Sequence, residues 1–223
     1  MNIGAFTGRA EAYAKARPSY PKEAMEYVRT LVPSNAVFAD IGAGTGILTA
    51  HIAQYGYEVF AVEPNTDMIE QLAITTAPFP KVKIFDGTAE ATKLPSNCVD
   101  VITNAQALKR FDIDMFRTEC LRIGKSNPIV ITVFNSELEA NTGYEKATAA
   151  LYQNPVIRKF KNPLCFTREK WHLYYASMEG VPLEGDARYE AWVTELNTMF
   201  DHDSVDGLLY KNEITHVYSG RIE

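Results

Sequence analysis

Asp40-Ile41-Gly42-Ala43-Gly44-Thr45-Gly46 is where the chain concentrates residues suited to holding a ligand. Glycines at this spacing let the backbone approach a bound molecule more closely than a Cβ would permit. A nicotinamide-binding fingerprint places its third glycine at the sixth position of the motif, where this sequence has Ile47; the third glycine is Gly46 instead. A loop shaped for a pyrophosphate is therefore disfavoured. Among the four histidines, His51 falls in a helical stretch, His202 lies between Asp201 and Asp203, and His216 sits in a terminal apolar run. That leaves His172 as the histidine placed to act as a general base, against the plainer reading of a helix histidine. Tyr20 and Tyr175 join it as catalytic candidates, and Tyr174 as a further acceptor-pocket residue. Cys98, Cys120 and Cys165 have neither CxxC spacing nor a histidine pair nearby, so no metal site is expected and the thiols read as reduced.

The elements that must position these groups follow from hydrophobic patterning. Short apolar β-branched runs alternate with amphipathic stretches from residue 37 onward, the pattern of parallel strands joined by crossover helices. Strands are expected at 37–41, 57–62, 81–85, 99–103 and 129–134, the last apolar almost throughout, as a strand buried on both faces should be. Helices are expected at 45–55, ending at Gly56, after the N-cap Asn65, and at 115–123, ending at Gly124. Beyond Asn135 the rhythm changes to helix-like segments at 142–152, 168–178 and 189–200, then a β-rich run at 214–222. This later region holds many aromatics, including Tyr144, Tyr152, Trp171, Tyr174, Tyr175 and Trp192, which read either as helix core or as the wall of a pocket.

Four ordered segments between residues 37 and 111 resemble the class I S-adenosylmethionine-dependent methyltransferase family. They are the glycine turn, Glu63-Pro64 closing the second strand, Asp86-Gly87-Thr88-Ala89-Glu90 with Leu94-Pro95 after the third, and Asp100 to Gln106 in the fourth. The resemblance implies a Rossmann-like α/β fold with a central, mainly parallel seven-stranded sheet flanked by helices and a helical cap inserted after the fifth strand. It implies S-adenosylmethionine as cofactor. Gly42, Ala43, Gly44, Thr45 and Gly46 would wrap its amino acid end with Asp40 in support, and Glu63 would take both ribose hydroxyls, with Pro64 and Met68 beside it. Thr88, Ala89 and Glu90 would lie at the adenine edge, and Asn104, Ala105 and Gln106 beneath the methionine portion. The commonest family form has aspartate where Thr88 stands.

Residues 10–21, with Tyr13, Arg17, Pro18 and Tyr20, resemble the N-terminal segment of a small-molecule branch of the family, which closes over the cofactor. Tyr13 would touch the cofactor carboxylate or line the acceptor pocket, and Arg17 would pair with a carboxylate; an exposed amphipathic helix leading into Pro18 fits the same residues. Where that branch often has a histidine and a tryptophan, this chain reads Gln106-Ala107-Leu108-Lys109-Arg110-Phe111. Lys109 and Arg110, if turned inward, select an acceptor bearing a carboxylate or phosphate; if turned outward they are solvated charges. The resulting division is one domain over 1–223, with cofactor-covering helices in 1–35, a cofactor-binding core in 36–135, a variable cap and substrate region in 136–205, and terminal β-structure in 206–223.

With 223 residues and a formal net charge of −6 spread along the chain, there is no basic field to gather nucleic acid or anionic lipid. No window approaches the roughly 18 apolar residues of a membrane span and no signal core precedes Tyr13, so the expected setting is cytoplasmic. The expected partner is a small-molecule acceptor; monomer and homodimer both remain open. Methyl transfer from a sulfonium needs in-line placement and exclusion of water more than it needs a base, so the lack of a conspicuous catalytic motif fits. The main rival keeps the cofactor but attacks another carbon on sulfur, giving cyclisation or aminocarboxypropyl transfer with release of methylthioadenosine. A cofactor-binding module without turnover and a nicotinamide-dependent oxidoreductase rank below it.

Overall fold

A computed structural model describes residues 3–137 and 142–222. In chain order it contains a 3-10 turn (Ile3–Phe6), α1 (Ala10–Ala16), α2 (Lys22–Thr30), β1 (Val37–Ile41), α3 (Ile47–Ala53), β2 (Glu58–Val62), α4 (Thr66–Thr76), β3 (Val82–Phe85) and β4 (Val99–Ala105). A second 3-10 turn (Leu108–Arg110) then leads to α5 (Ile113–Ile123), β5 (Gly124–Ser136), α6 (Thr142–Leu151), β6 (Val156–Phe166), α7 (Arg168–Ala176), α8 (Tyr189–Asp203) and β7 (Leu209–Arg221). The strands form one seven-stranded sheet in the order β3-β2-β1-β4-β5-β7-β6. Strands β1 to β5 pair in parallel, while β7 runs antiparallel to both β5 and β6.

The parallel strands are where the apolar runs predicted them, because strands covered by helices on both faces gain from apolar residues at every position. Val59, Val101, Ile131, Val133 and Val217 pack under α2 and α3 on one side; Ile102, Val130, Phe134 and Tyr218 pack under α5 and α6 on the other. Asn65 caps α4 by accepting from Met68 N at 3.0 Å, and Asp112 caps α5 by accepting from Met115 N at 3.1 Å. Each cap satisfies a backbone donor that the first helical turn leaves open.

Between residues 136 and 205 the structure departs from the expected helical cap. Strand β6 lies across the middle of that span, paired to β7 along its whole length, so α6 joins the layer flanking the sheet and the remaining helices, α7 and α8, enter between β6 and β7. Its sequence carries Arg158, Lys159, Lys161 and Pro163 among the apolar residues. As an edge strand it is largely exposed, which tolerates charges and proline and erases the alternation that would betray it. The N-terminal region also divides: α1 packs on α7 and α4, whereas α2 buries Ala24, Met25 and Val28 against the sheet layer and borders none of the cavities described below. Among the described residues no helix is long and apolar enough to cross a membrane.

Candidate active site

The carboxyl ends of β1, β2 and β4 converge where the strand order reverses beside β1, the position at which open α/β sheets form ligand crevices. The turn after β1 lies here. Gly42 and Gly44 have φ values of +69° and +56°, a region that side-chain-bearing residues rarely enter. A Cβ on Gly42 would come within 2.8 Å of Ala107 Cβ, so that position serves packing. A Cβ on Gly44 would meet nothing within 4 Å: the space in front of it is open, and Gly44 borders both a cleft of about 70 Å³ and a slot of about 30 Å³ along the turn. Gly46 borders neither, since Leu72 Cδ1 would stand 2.8 Å from its Cβ.

Glu63, at the end of β2 and only 7% exposed, accepts from Gly44 N at 2.9 Å and from Asn65 N at 3.0 Å, one bond to each carboxylate oxygen. Burial raises its pKa above the usual carboxylate value, and the two backbone donors oppose that rise. A carboxylate oxygen can accept a second bond, so both retain capacity toward the cleft, which Pro64, Asn65 and Met68 also border. Asp40 is 1% exposed and accepts from Thr49 Oγ1 at 2.6 Å and Thr103 Oγ1 at 3.0 Å, tying β1 to α3 and β4 behind the turn. Burial lifts it to about 6 despite the two hydroxyls. Thr45 is buried beside the slot, and its Oγ1 has no hydrogen-bond partner.

A third cavity, of about 160 Å³, adjoins these. Tyr13 borders all three spaces; Gln106 borders the cleft and this cavity; Tyr20 and Ile47 border the slot and this cavity. Gln106 has φ +56°, a conformation costing roughly 1–2 kcal/mol for a residue with a Cβ. It is held there by its backbone bond to Val133 O at 3.0 Å and by Tyr144 OH, which donates to Oε1 at 3.0 Å. The N-terminal segment crosses the cleft and is fastened at both ends. Asn65 Nδ2 donates to Ile3 O at 2.9 Å, Gly8 N donates to Asp67 at 2.7 Å, and the Arg9 guanidinium donates to Ala176 O and Val181 O at 2.9 and 2.5 Å.

The 160 Å³ cavity carries three charged groups. Arg17 lies between the rings of Tyr13 and Tyr174, 4.8 and 5.2 Å from their centroids, and donates to Ser177 Oγ at 2.8 Å. Lys109 turns toward it, 5.1 Å from the Tyr144 ring, and burial together with Arg110 and Arg17 lowers its pKa. Glu213, on β7, is 6% exposed with Oε2 unpartnered. Burial and the neighbouring Glu137 push it up to about 6, against Lys211 and Arg17. Tyr20, Tyr144 and Tyr174 are all raised by burial and stay protonated at neutral pH.

Sequence reasoning missed Glu213 because it precedes the expected strand at 214–222 in a polar stretch. The signal was period two: Glu213, Thr215, Val217 and Ser219 share one face of β7 and all are buried. Other expectations are redirected. His172 faces α8, with Nε2 3.0 Å from Asn197 Oδ1, and Tyr175 packs on Trp171; neither borders a cavity, because the helical turn that brings Tyr174 to the site carries its neighbours away. Arg110 borders the cleft but pairs with Glu179 at 2.8 Å. Asn104 donates to Thr132 Oγ1 at 3.0 Å and borders none of the three spaces, whereas Ala105 does. Thr88, Ala89 and Glu90 also border none: Ala89 is core, Thr88 Oγ1 accepts from Ala91 N at 3.1 Å, and Glu90 accepts from Asp112 N at 3.0 Å, next to the cleft residue Phe111.

A mainly parallel sheet with this strand order, a glycine turn after β1 and an acidic residue closing β2 are features with which open α/β folds hold nucleotide-type cofactors. Residues 39–132 match the Methyltransf_11 family, a methyltransferase domain. An uncharacterized methyltransferase of Mycobacterium tuberculosis is 39% identical over 108 residues, 48% of this chain and 41% of that protein, so the chain matches less than half the length of this relative. Among solved structures, a provisionally named type II methyltransferase from Anaeromyxobacter dehalogenans aligns with a TM-score of 0.66 at 19% identity, over 92% of this chain and 97% of that one. The [4+2]-cyclase SpnF aligns at 0.59 and 13% identity, over 96% and 93%. At these identities the two structures attest the fold. Residues 39–132 are thus similar to a methyltransferase domain, and the fold over most of the chain is similar to that of the two structures.

Proposed function

We propose that the chain transfers the methyl group of S-adenosylmethionine to an oxygen, nitrogen or carbon nucleophile of a small molecule held in the 160 Å³ cavity. The observation that carries this reading is the adjacency of a glycine-turn cleft and a second, tyrosine-walled cavity, with Tyr13 bordering both. The residues fit the cofactor: open space in front of Gly44, a buried Thr45 hydroxyl without a partner, and spare acceptor capacity on Glu63. When bound, the cofactor supplies a methyl group already activated on sulfur.

In this reading Glu63 holds the ribose hydroxyls, and Gly44 and Thr45 hold the amino acid end. Asp40, which borders the slot with them, supports the turn through Thr49 and Thr103. Phe111, packed in one core cluster with Ala89 and next to the Glu90-bonded Asp112, supports the adenine edge. The N-terminal segment excludes water from the cleft, and α7 supplies Tyr174 to the acceptor wall. Tyr20 borders both slot and acceptor cavity as a neutral hydroxyl, suited to orienting an acceptor by hydrogen bonding.

The test incubates purified protein with S-adenosylmethionine, alone and with pooled cell metabolites, and follows adenosylhomocysteine and methylthioadenosine by mass spectrometry. Metabolite-dependent adenosylhomocysteine, with a product heavier by one methylene unit, is the expected result. The fold likeness to a cyclase keeps a non-methyl reaction as the second reading: methylthioadenosine formed without an acceptor would replace the proposal by cyclisation through the cofactor's own amine, and methylthioadenosine formed only with the metabolites would replace it by aminocarboxypropyl transfer.

A further inference from the structure

We infer that the 160 Å³ cavity selects an acceptor carrying both a cationic amine and a carboxylate, with Glu213 holding the amine and Arg17 and Lys109 the carboxylate. This rests on the acceptor role proposed for that cavity. Three formal charges border one cavity, and none of them is within ion-pair distance of another. Glu213 lies on β7 and Arg17 just after α1, while Lys109 belongs to the turn after β4, so three separate parts of the fold bring them together.

Their local partners leave them incomplete. A carboxylate as buried as Glu213 ordinarily has hydrogen bonds or a counter-charge, because burying an unpaired ion costs several kcal/mol. Its Oε2 has no hydrogen-bond partner, and Lys211, the cation nearest in sequence, is paired with Glu137 at 2.5 Å. Arg17 is fixed in direction by two tyrosine rings and by Ser177, which orders the guanidinium without neutralising it. Lys109 has only the Tyr144 ring. An ammonium at Glu213 and an anion at the two cations would satisfy all three groups at once. A neutral acceptor would leave the buried Glu213 and the half-buried Arg17 without a partner, and a simple dianion would face Glu213 with like charge. The excess of one positive charge favours an amino acid over an amine without an acid group.

Calorimetric titration of the full chain, first saturated with adenosylhomocysteine, tests this. The probes are glycine, β-alanine, 4-aminobutyrate, L-leucine and L-phenylalanine, each beside the amine and the acid made by deleting one of its end groups. At least one amino acid should bind tenfold or more tightly than both of its counterparts. Glu213→Gln should bring that amino acid within threefold of its acid counterpart, Lys109→Met should bring it within threefold of its amine, and neither should change adenosylhomocysteine affinity. Amino acid binding should also weaken below pH 6 in the native protein as Glu213 protonates, in the field of Glu137, Lys211, Arg17 and Tyr174, and lose this dependence in Glu213→Gln. No binding by any probe, acids binding as tightly as amino acids, or an unchanged preference in Glu213→Gln would overturn the inference. Failure of adenosylhomocysteine to bind would instead overturn the cofactor reading, and titrating the same panel into the unloaded chain would still test the cavity.

Discussion

Replacing Glu63 by glutamine separates what the acidic group does for the turn from what it does for a ligand. Its two oxygens accept from Gly44 N and Asn65 N, so a glutamine of nearly the same shape satisfies one of these donors and sets its own NH2 against the other. Leaving one buried donor unsatisfied costs about 1–3 kcal/mol. Glu63→Gln also removes a buried charge whose pKa is raised by desolvation, which returns part of that cost to the unliganded protein. A modest fall in apo stability is therefore expected. Ligand binding has no such compensation: one of two hydroxyl contacts loses a charged acceptor, worth about 1.5–3 kcal/mol. The adenosylhomocysteine Kd should rise by roughly ten- to 150-fold. Calorimetry gives the Kd and urea unfolding of the apo protein gives the stability. The sign with pH follows from the same shift. Since the folded-state pKa of Glu63 lies above its ordinary value, acidification protonates it in the free protein and weakens binding, and Glu63→Gln should flatten that slope. An adenosylhomocysteine Kd within twofold of the native value, with the native pH slope retained, would refute the assignment.

Two further substitutions probe the turn and its support. Gly44→Val forces a β-branched residue into left-handed backbone at a cost of about 1–2 kcal/mol and fills the open space bordered by Gly44, so calorimetry should detect no adenosylhomocysteine binding while circular dichroism remains native. Asp40 titrates near 6 when folded and lower when unfolded, so the folded state binds more protons between those values and stability falls as pH rises from 4 to 6, by about 3 kcal/mol from this residue. Asp40→Asn should remove that component. A native-minus-variant difference in urea unfolding that stays constant from pH 4.5 to 7 would show that Asp40 is not the buried carboxylate described.

The half of the molecule around the glycine turn was legible in the sequence because its signals are local. A parallel strand buried on both faces reads as a continuous apolar run, a tight strand-to-helix turn demands glycine, and Asn65 and the glycines at 56 and 124 mark where helices begin or end. Asp40, the turn from Gly42 to Thr45, Glu63 and Met68 were therefore located before any tertiary contact was known. That Asp40 also braces the turn depends on Thr49 and Thr103 meeting it from two other elements, and no spacing along the chain encodes that.

The 160 Å³ cavity takes individual residues that the sequence marked, Tyr13, Arg17, Tyr20, Lys109 and Tyr174, but their meeting belongs to the tertiary structure. Strand β6 is an edge strand stabilised by pairing with β7 more than forty residues away, so its sequence is free to be charged and irregular. Glu213 reaches the site only because β7 inserts antiparallel between β5 and β6 with that face turned inward, and Tyr174 rather than His172 or Tyr175 arrives because α7 packs on α1 through one side. Residues 17, 109, 144, 174 and 213 meet through long-range packing. Sequence periodicity reports which face of an element is buried; which faces are buried against one another is settled only when the chain has folded.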